Sequence, residues 1–171
     1  MRVVKICYTQ YSMGNRLLNY TTEVPVERTL AEMQQALVSA KATSILTEYE
    51  DGELRAIMFK IRIQHGQELP FRLPANVDEA YRVLYGTRQP DQERRYGASW
   101  RRQAQRTAWR ILLTWVKAQL SLIALELAKP EEVFLPYLLV GKDRTLFQDI
   151  QAHQFRLPAR AADTAKGGEP M

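Results

Sequence analysis

Arg88, Arg94, Arg95, Arg101, Arg102, Arg106 and Arg110 crowd one short stretch of this chain, where the acids are Asp91 and Glu93 alone. Seven arginines against two acids leave an excess equal to the formal net charge of the whole protein, +5. The rest of the sequence therefore balances. A guanidinium is a planar fork of donors that matches a phosphate or carboxylate bidentately. A local excess of such groups points to an anionic partner more strongly than the same charge spread evenly.

Other residues with chemical potential are fewer and poorly placed. His65 and His153 lack metal-ligand spacing, and the single cysteine, Cys7, has no neighbouring base. One cysteine excludes an internal disulfide framework and a cysteine zinc site, and fits a reducing, cytoplasmic compartment. No Gly-rich phosphate loop, nucleophile elbow or Cys-x-x-Cys occurs. Glu48, Glu50, Asp51 and Glu53 surround a turn signal, where turn geometry and solvation explain them. The Pro90-Asp91 pair lacks the Glu-x-Lys on a strand that a metal-dependent nuclease needs. The reading is a non-enzyme with no catalytic residue, metal or cofactor. No apolar run approaches the roughly 20 residues of a membrane span.

The arginines need a scaffold, and periodicity supplies one. From Ser99 to about Ala128-Lys129, before Pro130, the spacing predicts a long helix. Ala104, Ala108, Ile111, Trp115, Ala118, Leu122 and Leu125 alternate four and three apart as an apolar stripe centred on Trp115. Arg95, Arg102, Arg106, Arg110 and Lys117 fall on the opposite side, within a sector of roughly 80°. No acid lies between Ser99 and Leu125, so this ridge has no acidic partner within its own helix. Trp100 and Trp109 flank the ridge and Tyr96 precedes it. Cationic tracks with exposed rings hold single-stranded nucleic acid, with charge on the backbone and rings on the bases. For Trp109 two readings stand side by side, partial burial in the core and stacking on a base, and it is counted among the expected contacts.

Around this helix the chain reads as an α+β domain. Leu17 to Val24 has strand composition. Thr29 and Glu32 form a capping-box pattern opening a helix over about 29 to 41. "TSILTEYEDGELRAIMFKIRIQHGQELPFRLP" predicts a three-stranded antiparallel meander, with Asp51-Gly52 as the first turn and His65-Gly66 as the second. Its alternation buries Leu54, Ile57, Phe59, Ile61 and Ile63 and leaves Arg55, Lys60 and Arg62 on a wet, basic face that can extend the track. A short helix closes at Gly86, and a polar, mobile connection leads to Ser99. "EEVFLPYLLV" packs back on the domain, and Thr145 caps a last short helix. The expected organisation is a loose extension over 1–12, one domain over 13–156 and a disordered tail over 157–171.

"NYTTEVPVERTLAEMQQAL", "MFKIRI", "LPFRLP", "QAQRTAWRILLTWVKAQLSLI" and "EEVFLPYLL" resemble a family of small, largely uncharacterised proteins of bacteriophages and integrated mobile elements. The resemblance spans Met13 to Phe147 and implies no catalytic residues. In topology alone, the helix, meander and long helix resemble single-strand annealing proteins of recombination systems. That likeness implies a homo-oligomer holding DNA in a basic groove. The sequence thus leads to a nucleic-acid-binding accessory protein that prefers single strands, with contacts expected at Arg95, Arg102, Arg106, Arg110, Lys117, Trp109, Lys60 and Arg62. The competing reading is a protein-interaction or assembly module without nucleic-acid contact.

Overall fold

The computed structural model describes residues 17–63, 66–141 and 144–155. The expected extension, the expected tail and His65 lie outside them. Residues 17–24, expected as a strand, form turns instead. Tyr20 N–H donates to the Leu17 carbonyl (3.1 Å), Thr22 N–H donates to that of Asn19 (3.0 Å), and Asn19 adopts φ 60°. Asparagine visits this left-handed conformation more readily than most residues. The turn is strapped down by side chains: Gln103 Nε2 donates to the carbonyls of Tyr20 and Thr22, both at 2.9 Å. Asn19 Nδ2 donates to Thr114 Oγ1 at 3.3 Å.

Helix α1, Val26–Ser39, begins directly after Pro25. Thr29 therefore lies inside the first turn and not at the cap. It is fully buried, with its hydroxyl donating to the Pro25 carbonyl at 3.3 Å. Met33 and Leu37 continue its buried face at helical spacing. Glu32 is thereby released from any capping role and reaches across to another helix, as described below.

The meander is present as expected: β1 (Ala42–Glu50), β2 (Glu53–Arg62) and β3 (Glu68–Pro74), antiparallel in the order β1-β2-β3. Asp51 (φ 51°) and Gly52 (φ 76°) both take positive φ, as a two-residue hairpin turn requires. Ile57, Phe59 and Ile61 point inward with Phe71 and Leu73. The prolines of β3 are tolerated because it is an edge strand. Leu139 N–H covers part of that edge by donating to the Pro70 carbonyl at 2.9 Å.

Helix α2, Val77–Tyr85, is capped by Asn76, whose side chain accepts from Glu79 N–H. Helix α3, Pro90–Ala124, starts nine residues before the expected Ser99. Pro90 is preorganised for a first helical position, and Asp91 and Glu93 favour the positive N-terminal end of the helix dipole. These signals convert most of the expected connection into helix. At the other end, Glu126 takes φ 58°, so α3 stops short of Ala128 and leaves Leu125 68% exposed.

The buried face of α3 also departs from the single stripe. Its buried residues are Ala104, Thr107, Ala108, Trp109, Leu113 and Val116, while Ala118, Leu122 and Leu125 are exposed. The cause is tertiary: α3 is flanked by both α1 and α2 above the sheet, so its middle is covered on more than one side. Short helix α4, Pro130–Phe134, and a 3-10 turn over Leu135–Tyr137 bring the chain back. Phe134 packs 5.3 Å from Phe59 and 5.6 Å from Phe71 between ring centroids. Trp115, expected at the centre of the core, is half-buried and meets Phe134 and Tyr137 edge-on. Helix α5, Leu146–Ala152, is capped by Thr145 as the sequence predicts, and Gln148 makes that cap reciprocal.

Candidate nucleic-acid interface

The N-terminal half of α3 packs against α2 on one side and leaves most of its remaining surface open. Gly97 sits where α3 passes Tyr81 of α2, and the Tyr81 hydroxyl donates to Glu93 at 3.2 Å. This contact fixes which way the arginines point. Arg101 turns toward the β1–β2 hairpin. Its Nε and Nη2 reach Glu53 at 3.1 and 2.6 Å, and its Nη1 reaches Asp78 at 2.5 Å. Those bonds, that to Glu53 foremost, push the Arg101 guanidinium above its ordinary value and hold both carboxylates below theirs. Arg101 is a structural clamp, already neutralised.

Arg95 and Arg102 are exposed and Arg106 is half-buried. None of the three makes a hydrogen bond or ion pair among the described residues. Arg110 and Lys117 continue the same side of the helix but converge on Glu32 of α1, each 3.1 Å from its Oε2. Arg28 adds a third cation at 3.7 Å. The hydrogen bonds from Lys117 and then Arg110 hold the Glu32 carboxyl below the usual range. Of the six cations along α3 and the adjoining edge of α1, Arg28, Arg110 and Lys117 share the Glu32 carboxylate, and Arg95, Arg102 and Arg106 have no ion pair among the described residues.

Three expected contacts are not on this surface. Trp109 is fully buried, and its indole N–H has no hydrogen-bond partner among the described residues. It packs the core and cannot stack on a base, because α1 and α2 cover the middle of α3 on more than one side. Lys60 and Arg62 are exposed on the outer face of the sheet. The neighbouring Phe59 and Ile61 point into the core below α3, so the sheet separates the two basic patches. Nor is that outer face uniformly basic: Arg62 pairs with Glu68 at 3.0 Å, and Arg72 grips Glu48 through two bonds of 2.8 Å.

Four aromatic rings meet at the open end of α3. Tyr85 of α2 stacks on Trp100, 4.9 Å between centroids and 5° between planes. Tyr81 lies 5.7 Å from Tyr85 with its plane tilted by 55°, and Tyr96 lies 5.8 Å from Trp100 with its plane tilted by 32°. Each helix contributes a pair four residues apart, which places both rings on one face. That spacing was readable in the sequence, whereas the apposition of the two pairs was not. An apolar groove of about 340 Å³ also runs between α2, α3 and Tyr137, floored by Ala108, Ile111 and Trp115. Among the described residues no cluster of acids, histidines or cysteines is arranged to hold a metal ion, and no helix is long and apolar enough to cross a membrane.

No protein-family model matches this chain, and neither a curated protein nor a solved structure is detectably similar to it.

Proposed function

We propose that this protein binds nucleic acid without catalysing a reaction on it, as an accessory factor that engages the phosphate backbone through α3. One observation carries the reading: Arg95, Arg102 and Arg106 occupy one side of a rigid helix with no carboxylate partner among the described residues. A solvated helix face built for solubility mixes signs. Here the unpaired charges are all positive, and each side chain can present a bidentate fork to phosphate. Arg110 and Lys117 extend the surface, with part of their charge held by Glu32. Arg101 is left out because its donors are already committed.

The test replaces Arg95, Arg102 and Arg106 together by glutamine and follows binding of a labelled single strand across a salt series. Each phosphate contact contributes about 0.7 to the log–log salt slope, so the triple variant is expected to flatten it by about 2. Stability should move by no more than about 0.5 kcal/mol, because the three side chains make no hydrogen bond or ion pair among the described residues. Equal affinity and equal slope for the two proteins would refute the interface and favour a protein partner instead.

A further inference from the structure

We infer that the aromatic ladder Tyr81–Tyr85–Trp100–Tyr96 is a stacking platform for unpaired nucleobases, with Tyr96 as its open step. The inference rests on the nucleic-acid reading above and adds the class of substrate, a single strand in preference to a duplex. The ladder has a fixed end and a free end. Tyr81 is anchored by its bond to Glu93 and packs against the core. Tyr85 and Trp100 are stacked with nearly parallel planes and half-buried. Tyr96 is 52% exposed, and its hydroxyl has no hydrogen-bond partner among the described residues. The ring stiffens nothing that alanine would not, since tyrosine is the poorer helix former. What it offers is a π-surface continuing an existing stack into solvent.

Charge lies where a strand threaded over such a step would need it. Arg95 precedes Tyr96 on α3, and Arg88 lies three residues after Tyr85, its backbone N–H donating to the Tyr85 carbonyl at 2.9 Å. Both arginines are exposed and make no ion pair among the described residues. A base stacked on Tyr96 would keep its phosphates within the field of these two groups and of Arg102 farther along α3. Duplex bases bury their faces against one another and show only their edges in the grooves, so the platform recognises unpaired bases. Stacking serves the bases of DNA and RNA alike, so the chemistry specifies a single strand and not the sugar.

The experiment uses the full chain, wild type, Tyr96→Ala and Tyr96→Phe. The probes are labelled oligothymidylate, oligouridylate and a duplex of the same length. Removing one stacking ring is expected to weaken single-strand affinity by roughly 5- to 150-fold. Tyr96→Phe retains the ring and should bind like wild type. Neither substitution should change the salt slope, since no charge is removed, and duplex affinity should stay as it was. Comparison of the two single-stranded probes shows whether DNA, RNA or both are taken. Wild-type affinity in Tyr96→Ala would overturn the platform while leaving the arginine interface standing, and a Phe variant as weak as the Ala variant would overturn stacking as the cause. Absence of nucleic-acid binding by the wild type would overturn both.

Discussion

Replacing Glu32 by glutamine should separate what the basic surface costs the fold from what it offers a ligand. Glu32 and Arg110 are buried to a similar degree, with side chains 27% and 26% exposed, whereas Lys117 is 52% exposed. Exposed ion pairs contribute about 0.2–1 kcal/mol. The Arg110 pair belongs near the top of that range and the Lys117 pair near the bottom, while the longer Arg28 contact adds little. Their loss, together with the repulsion of three cations left around a neutral amide, gives about 1.5 kcal/mol of destabilisation. For a domain of this size that lowers the melting temperature by roughly 5 °C. The folded carboxyl lies below its ordinary value of 4.5. Its stabilising contribution is therefore complete above that value and is lost as pH falls through the lowered one. The melting difference between wild type and variant should be full at neutral pH and close in acid. Binding should move the other way. With Arg110 and Lys117 released to a single strand, the salt slope steepens by about 1.4, at about 0.7 per contact. Circular-dichroism melts over a pH series and fluorescence anisotropy over a salt series make both measurements. A variant as stable as wild type at neutral pH, or one whose salt slope is no steeper, would refute the account of this carboxylate as a brake on the surface.

Two other substitutions test the fold that positions the surface. Trp109→Ala should cost about 3–5 kcal/mol in chemical denaturation, as for a fully buried ring, and Trp115→Ala distinctly less because part of its ring is already wet. Gly52→Ala meets no steric neighbour among the described residues, yet at φ 76° it should destabilise the hairpin by about 1 kcal/mol, read as a lower denaturation midpoint with unchanged slope.

The parts of the fold carried by local pattern were legible in advance. The Asp51-Gly52 turn, the alternation through Ile57, Phe59 and Ile61, and the Thr145 cap each depend on residues a few positions apart, and each appears in the structure. Features decided by distant partners were not. Thr29 and Glu32 match a capping box, but Pro25 starts the helix earlier and the cations of α3 take the carboxylate. Trp109 and Trp115 exchange expected roles because α3 is covered by two helices, which a single amphipathic stripe cannot represent. The one-signed arginine ridge was visible in the sequence for the same local reason. The commitment of Arg101 to Glu53 and Asp78, and the convergence of Arg110 and Lys117 on Glu32, needed the tertiary structure.

The strap from Gln103 to the carbonyls of Tyr20 and Thr22 joins residues more than eighty positions apart, and the α1–α3 seam is of the same range. Such wiring orders events on the ribosome. The three-stranded sheet is synthesised complete by Pro74, but its inner face, Ile57, Phe59, Ile61, Phe71 and Leu73, has only Met33 and Leu37 of α1 to cover it until Ala75, Val77 and Ala80 and then Trp109, Leu113 and Val116 emerge. At about 5–20 residues per second, that wait lasts roughly two to eight seconds. Through that interval the nascent chain presents a greasy sheet with unpaired edges, the kind of surface that chaperones hold and that neighbouring nascent chains can pair with. Placing the closing helix late leaves part of the core exposed during translation, so slowing elongation between Pro74 and Val116 should lower the soluble yield more than slowing it after Phe134.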